Sequence, residues 1–261
     1  MKLPIYQIDA FTDHVFGGNP AAVVTLDAWL PDAVMQAVAA ENNLAETAFV
    51  GPGEGSPRLR WFTPTVEVDL CGHATLATAH VLFSSHYPDR DELSFETRSG
   101  RLVVRRQGDH LVLDFPARPG VQVDVGPDVA AALGARPVEA RLARDLLVVL
   151  ESEEVVHSLA PDIGLIAALD TFAVIVTAAG SNVDFVSRFF APRAGIPEDP
   201  VTGSAHCTLA PYWADRLGRT RLTARQVSKR GGTLECELVG DRVFIAGRCV
   251  EFLRGVIEVP V

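Results

Sequence analysis

The sequence predicts an α+β protein made of two similar halves. Its 21 glycines and 17 prolines are spread along all 261 residues, which favours many short elements joined by turns. Short alternating runs of apolar and polar residues indicate strands, and longer segments carry apolar residues at helical spacing. Similar motifs recur about 130 residues apart, half the length of the chain. We therefore expect two copies of one α+β unit.

The first half alternates between strand and helix patterns. Strands are predicted at 4–11, 21–26, 48–50 and 59–62, and helices from Asp32 and from Ala74 to about Phe83. Glycine-containing pairs predict hairpin turns. These pairs are Ser99-Gly100, Gly108-Asp109, Gly231-Gly232 and Gly240-Asp241.

The repeat rests on short segments that match in the same order. Arg60–Pro64 matches Arg188–Pro192, and Leu30–Asp32 matches Ala160–Asp162. Asp69 followed by residues 72–74 matches Asp199 followed by residues 203–205. Chance similarity among common turn residues is the alternative interpretation. Duplication predicts that equivalent loops face each other across a cleft, a common place for a ligand site. We assign residues 1–117, completed by a strand near 250–261, to the first half and 118–249 to the second.

Charge and composition exclude several classes of protein. The formal net charge of −10 disfavours nucleic acid and anionic membranes as partners. The first 25 residues do not resemble a signal peptide, and no apolar run is long enough to span a membrane. The four cysteines form no C-x-x-C pair, and neither dinucleotide nor P-loop fingerprints occur. We expect a cytoplasmic protein without a metal or an organic cofactor.

Two glycines mark the starts of helical patterns. Gly72 and Gly203 each end a proline-containing loop. The first turn of a helix presents unpaired N–H groups and a partial positive charge, and glycine lets a ligand approach that backbone. Two such ends would bind an anion such as a carboxylate. Ser204 could bind the ligand, cap its helix, or do both.

Four further residues have both a functional and an ordinary interpretation. Glu46 lies where a helix gives way to an apolar strand, so it is either a partly buried acid–base group or a surface glutamate. His73 is either a site residue at a helix start or a structural histidine. Asp199 either orients a ligand or closes a turn before Pro200, and Asn19 either reaches a ligand or belongs to a plain turn.

Four segments in the expected order resemble the phenazine-biosynthesis PhzF-like family. They are 16–23 (FGGNPAAV), 43–49 (NLAETAF), 62–75 with FTP and EVDLCGHAT, and 198–206 (EDPVTGSAH). The resemblance runs from residue 5 to about residue 218. It implies a diaminopimelate-epimerase-like fold, in which two halves each wrap a mixed sheet around a central helix, and a homodimer.

The resemblance also implies roles for individual residues. Glu46 matches the proton-carrying carboxylate, and His73, Asp199 and Ser204 match residues that bind the substrate and assist proton transfer. The backbone at Gly72 and Gly203 is expected to hold a substrate carboxylate. We therefore expect a cofactor-independent isomerase that moves a proton between carbons of a small carboxylate-bearing metabolite.

Two alternatives stay open. Racemases and epimerases of the same fold use two facing thiols, which would fall near Cys71 and Thr202. Thr202 cannot act as an acid or base near neutral pH, so a two-thiol mechanism is broken here. A racemase or epimerase would need Cys71 or Glu46 with another base. The other alternative is a non-catalytic metabolite-binding protein.

Overall fold

The computed structural model describes residues 1–260, and short strands and helices alternate along them. The elements begin with β1 (Lys2–Ala10), β2 (Asn19–Thr25), α1 (Asp32–Asn42), β3 (Glu46–Gly51), β4 (Arg58–Phe62), β5 (Glu67–Val68), α2 (Gly72–Ser85), β6 (Glu92–Thr97), β7 (Gly100–Gln107) and β8 (His110–Pro116). They continue with β9 (Val121–Gln122), α3 (Pro127–Leu133), β10 (Glu139–Leu142), β11 (Leu146–Val149), α4 (Glu153–Ser158), α5 (Ile163–Ala168), β12 (Val174–Ala179), β13 (Phe185–Ala191), β14 (Ile196–Asp199), α6 (His206–Leu217), β15 (Arg221–Gln226), β16 (Gly232–Val239), β17 (Arg242–Gly247) and β18 (Cys249–Glu258).

The chain divides into two units. Unit 1 comprises residues 1–114 together with the chain from Ala246 onward, and unit 2 comprises residues 115–245. Strand β18 ends at Glu258, whereas the predicted C-terminal strand extended to residue 261, which lies outside the described residues. Within residues 1–260 no helix has both the length and the apolar character needed to cross a bilayer.

In unit 1, strand pairing brings the starts of two strands together. Strand β1 pairs antiparallel with both β18 and β2. Strand β2 runs parallel to β3 in a register that sets Ala21 opposite Glu46, and α1 makes the crossover between them. Asn19 and Glu46 are the first residues of these parallel neighbours, so both lie at the same edge of the sheet.

Helix α2 is the buried helix of unit 1. Eleven of its 14 residues are buried, and it packs on β1, β2 and β3. A helix that is apolar on nearly every side must lie inside the protein rather than on its surface. Its buried Thr78 hydroxyl donates a hydrogen bond to the carbonyl of Ala74 at 2.7 Å, which satisfies a polar group that burial would otherwise penalise. The helix begins at Gly72, two residues before the predicted start at Ala74.

Unit 2 is built in a similar way around α6. Strands β11 and β12 are parallel, β12 pairs antiparallel with β13, and β13 runs parallel to β15. Helix α6 packs on β15 and β16 and has eight buried residues of its 12. Gly203 does not begin an α-helix. The N–H of Ala205 donates a hydrogen bond to the carbonyl of Thr202 and closes a short 3₁₀ turn, Gly203–Ala205, and α6 then starts at His206.

The internal repeat is visible as the same ion pair in both units. Arg60 binds both carboxylate oxygens of Glu67 at 2.7 and 2.8 Å, and Arg188 binds both oxygens of Glu198 at 2.7 and 3.0 Å. In each unit the guanidinium also lies 5.1 Å from the ring centre of a phenylalanine two residues further along its strand. Glu67 comes shortly before the start of α2 at Gly72, and Glu198 comes shortly before the 3₁₀ turn that begins at Gly203. The α+β class with two pseudo-symmetric halves is thus confirmed.

Candidate active site

Three of the predicted site residues meet inside unit 1. The Nε2 atom of His73 lies 3.1 Å from Oε2 of Glu46, and Nδ1 of His73 lies 3.1 Å from Nδ2 of Asn19. Each residue sits at or next to the beginning of an element: Asn19 opens β2, Glu46 opens β3, and His73 is the second residue of α2. All three are buried, with exposed fractions of 0% for Asn19, 8% for Glu46 and 4% for His73.

Cys71 joins this cluster from the residue before α2. Its Sγ lies 3.5 Å from Nδ1 of His73. Burial, reinforced by the negative charge of Glu46, raises the pKa of the Cys71 thiol to about 11. The thiol is therefore protonated and poorly nucleophilic near neutral pH.

His73 is subject to opposing electrostatic effects. Burial lowers its pKa, whereas negative charge on Cys71 and on Glu46 raises it, and the net result lies well above the ordinary 6.5. Because the Cys71 thiol is neutral near pH 7, Glu46 is the charge that favours an imidazolium there. The amide nitrogen of Asn19 acts in the opposite sense, since it presents hydrogens to Nδ1 and disfavours a proton on that atom.

Oε2 of Glu46 and Nε2 of His73 are among the buried polar atoms of the cluster that form no well-aligned hydrogen bond within residues 1–260. They face each other at 3.1 Å but at an angle unsuited to a hydrogen bond. A buried polar atom left in this state costs about 1–3 kcal/mol. A catalytic role is one explanation for such atoms in a folded protein, and these two atoms can accept and donate a proton.

The start of α2 supplies a second chemical feature. Cys71 precedes the helix, and no side chain within the described part of the chain caps its first turn. The first N–H groups of the helix, beginning at Gly72, therefore point away from α2 with the positive end of the helix dipole. Such a position suits a carboxylate.

Glu46, Cys71 and His73 are also close enough together to be considered as metal ligands. Their arrangement around the imidazole argues against chelation. Cys71 lies beside Nδ1 and Glu46 lies beside Nε2, so a metal bound to either nitrogen has only one of the two as an immediate neighbour. Nδ1 is also in contact with the Asn19 amide. The cluster is better suited to proton transfer than to a three-ligand metal site.

The other predicted site residues lie in unit 2. Asp199 ends β14 and accepts a short hydrogen bond of 2.5 Å from the Thr202 hydroxyl. Gly203 and Ser204 belong to the 3₁₀ turn that follows, and Ser204 is partly exposed. Ser204 is not a helix cap: Thr202 precedes the 3₁₀ turn, and Ala205 precedes α6. The capping interpretation of Ser204 is therefore wrong.

Gln226 is a residue that the sequence did not single out. It ends β15, is fully buried, and binds the loop between Asp199 and Thr202 through both atoms of its amide. Its Oε1 accepts from the N–H of Thr202 at 2.8 Å, and its Nε2 donates to the carbonyl of Asp199 at 2.7 Å. A glutamine at the end of an alternating strand is ordinary, so no local pattern could have indicated this contact.

Comparison with known proteins identifies the family. A model of the phenazine biosynthesis-like protein family matches residues 8–255. The chain is 52% identical over 258 residues to a protein of Pseudomonas aeruginosa named an uncharacterized isomerase, covering 99% of this chain and 100% of that protein. The crystal structure of a phenazine biosynthesis protein of the PhzF family from Enterococcus faecalis superposes with a TM-score of 0.97 at 50% identity, covering 99% and 100% of the two chains. The chain belongs to the phenazine biosynthesis-like, or PhzF-like, family.

A more distant structure supports the fold alone. A hydroxyproline epimerase from Agrobacterium vitis has a TM-score of 0.62 at 11% identity, covering 98% of this chain and 92% of that one. The resemblance to the PhzF-like family and the fold that it implied are thus confirmed.

Proposed function

We propose that this protein is a cofactor-independent isomerase that moves a proton between carbons of a small carboxylate-bearing metabolite. Its family and the P. aeruginosa relative named as an isomerase support the class of enzyme. The mechanism rests on a single observation, the buried contact of 3.1 Å between Oε2 of Glu46 and Nε2 of His73. These two atoms can exchange protons with a ligand.

Glu46 acts as the acid–base group in this proposal. Its carboxylate takes a proton from one carbon of the substrate, and the electron pair of that C–H bond shifts into the carbon skeleton. The resulting carboxylic acid returns the proton to a different carbon, so no electron leaves the substrate and no oxidant is needed. Such a group contributes about 10²–10⁴-fold in rate.

The start of α2 is suited to bind the substrate carboxylate, because the N–H groups that begin at Gly72 supply donors and a favourable dipole. In unit 2, the turn at Gly203 and the partly exposed hydroxyl of Ser204 also present donors suited to a carboxylate. The family resemblance assigns Asp199, which accepts a hydrogen bond from Thr202, to the groups that bind the substrate and assist proton transfer.

Glu46→Gln tests the mechanism directly. Glutamine keeps the shape of the side chain but cannot carry a proton to or from carbon. We expect normal folding, retained ligand binding, and turnover reduced at least about 10³-fold. The assay incubates a panel of small carboxylates in heavy water with a chelator and no added cofactor, and follows C–H exchange by NMR.

Glu41→Gln is the matched control, because Glu41 is an exposed residue of α1. This control should exchange like the wild type. A Glu46→Gln protein within tenfold of wild type would remove Glu46 from the mechanism. Binding of carboxylates without exchange in any protein would favour a metabolite-binding protein, and exchange that depends on an added metal would refute cofactor independence.

An epimerase is the second candidate, and the contact of Cys71 with His73 favours it. A thiol at this position could exchange a proton with the imidazole. The hydroxyl of Thr202, in contrast, already donates to Asp199, so no second thiol-like base stands at the equivalent position. Loss of optical activity in a chiral substrate, abolished by Cys71→Ala, would identify the epimerase.

The compartment, the oligomeric state and the partner of the protein are also proposals. We propose a cytoplasmic homodimer whose partner is the metabolite rather than nucleic acid or membrane, in keeping with the net charge of −10. Light scattering should give twice the chain mass of 28.0 kDa, and a monomer at micromolar concentration would contradict the dimer.

A further inference from the structure

The fully buried side chain of Asn19 faces the ring of His73. Asn19 is 0% exposed, and its amide lies beside the imidazole inside unit 1. Its Nδ2 lies 3.1 Å from Nδ1 of His73 with an acceptable hydrogen-bond geometry. An amide nitrogen can only donate, so Nδ1 of the imidazole must accept.

The position of the remaining ring proton follows from this contact. A neutral imidazole carries one proton, and if Nδ1 accepts, that proton is on Nε2. Nε2 is the atom that lies 3.1 Å from the Glu46 carboxylate. We propose that Asn19 is a positioning residue that reserves Nδ1 of His73 as an acceptor and so places the proton of the neutral ring on Nε2, beside Glu46.

The groups that act on the ring come from three elements. Glu46 belongs to β3, Asn19 to β2, and Cys71 directly precedes α2. Glu46 and Cys71 are the ionisable groups whose charge acts on His73. The Cys71 thiol is protonated near neutral pH, and it too can donate weakly to Nδ1 at 3.5 Å. Asn19 therefore opposes the effect of Glu46, which by itself favours a second proton on the ring.

The chemical consequence concerns how His73 assists the reaction. A neutral ring with its proton on Nε2 can donate a hydrogen bond to a substrate oxygen or to Glu46 without carrying a full positive charge. The neutral ring can also accept a proton during the reaction, which an imidazolium cannot do. This inference rests on the proposed roles of Glu46 and His73 but concerns a property that can be measured without a substrate.

The experiment is ¹⁵N NMR of the full chain labelled in histidine, with the His73 signals assigned by comparison with His73→Gln. Above its protonation midpoint, His73 of the wild type should show a protonated Nε2 and an unprotonated Nδ1. Asn19→Asp replaces the amide donor by a carboxylate acceptor of the same shape. It should protonate both nitrogens and raise the protonation midpoint of His73 by about 1–3 pH units.

Asn19→Leu provides a second variant if Asn19→Asp does not fold. Leucine removes the donor at similar volume, so the midpoint should rise by less than with aspartate, and the fixed preference for Nε2 should weaken. A neutral wild-type ring that carries its proton on Nδ1 rather than on Nε2 overturns the proposal. An unchanged His73 spectrum in a folded Asn19 variant does so as well.

The same variants separate this inference from the proposed function. The acidic limb of the pH–rate profile should move upward with the His73 midpoint in Asn19→Asp, a shift that a purely structural role would not produce. If the NMR result is as expected while Glu46→Gln remains active, the proposed function fails and the role of Asn19 stands. If the neutral wild-type ring carries its proton on Nδ1 while Glu46→Gln is inactive, the role of Asn19 fails and the proposed function stands.

Discussion

Gln226→Met should destabilise the protein strongly, because Gln226 is fully buried. Methionine has nearly the same length, but it cannot replace the two hydrogen bonds of 2.8 and 2.7 Å to the Thr202 N–H and the Asp199 carbonyl. Each buried backbone group left without a partner costs about 1–3 kcal/mol, or about 2–6 kcal/mol for the pair. Burying the more apolar side chain offsets part of this cost. The expected net loss is therefore about 2–4 kcal/mol.

Urea denaturation followed by tryptophan fluorescence and circular dichroism measures this loss. With a slope of about 2 kcal/mol per molar urea, the midpoint should fall by roughly 1–2 M. Gln122→Met is the matched control, because Gln122 is exposed in β9 and its substitution should stay within about 0.5 kcal/mol. A midpoint for Gln226→Met equal to that of the control would refute the reasoning that this amide holds the loop from Asp199 to Thr202.

Three further predictions concern single side chains. Cys71→Ala should retain turnover within about tenfold, because its thiol is protonated near neutral pH; a thousandfold loss in a folded protein would instead indicate thiol chemistry. Ser204→Ala should weaken carboxylate binding in calorimetry by about 10–100-fold, the loss of a hydrogen bond to a charged group, and unchanged binding would remove Ser204 from the binding site. Burial lowers the pKa of His206 to about 4, so the unfolded chain binds that proton first as the pH falls below the ordinary 6.5. The free energy of unfolding should therefore fall by up to about 3 kcal/mol between pH 6.5 and 4, and a pH dependence that persists unchanged in His206→Gln would contradict this assignment.

Local patterns predicted the fold class and the general course of the chain. Strands with alternating apolar and polar residues lie where the local sequence patterns predict them. The four glycine-containing hairpin turns join the strands expected on either side. Boundaries were less accurate: β3 begins at Glu46 rather than at Ala48, because pairing with β2 extends the strand beyond its apolar run. That extension brings Glu46 to the edge of the sheet beside Asn19.

The residues of the cluster were predicted individually, but their contacts were not. Asn19, Glu46 and His73 are about 27 residues apart from one to the next, and only the parallel register of β2 and β3 with the start of α2 brings them together. Similarly, neither the binding of Arg60 to Glu67 nor that of Gln226 to the Asp199 loop has a local signal. Such contacts depend on tertiary packing, which propensity and periodicity do not describe. The roles assigned to the site residues remain predictions.

The pairing of β1 with β18 has a consequence for synthesis on the ribosome. One of the two partner strands of β1 (residues 2–10) is formed by residues 249–258, so the sheet of unit 1 cannot be completed until residue 258 has emerged. Unit 2 is contiguous and is synthesised in the interval, which lasts about 7–27 s at typical translation rates. During that interval one edge of β1 has no strand beside it, and an open strand edge is a template for pairing with other chains. Nascent unit 1 is therefore the part of this protein most in need of protection by chaperones, and truncation before residue 249 would leave that edge permanently exposed.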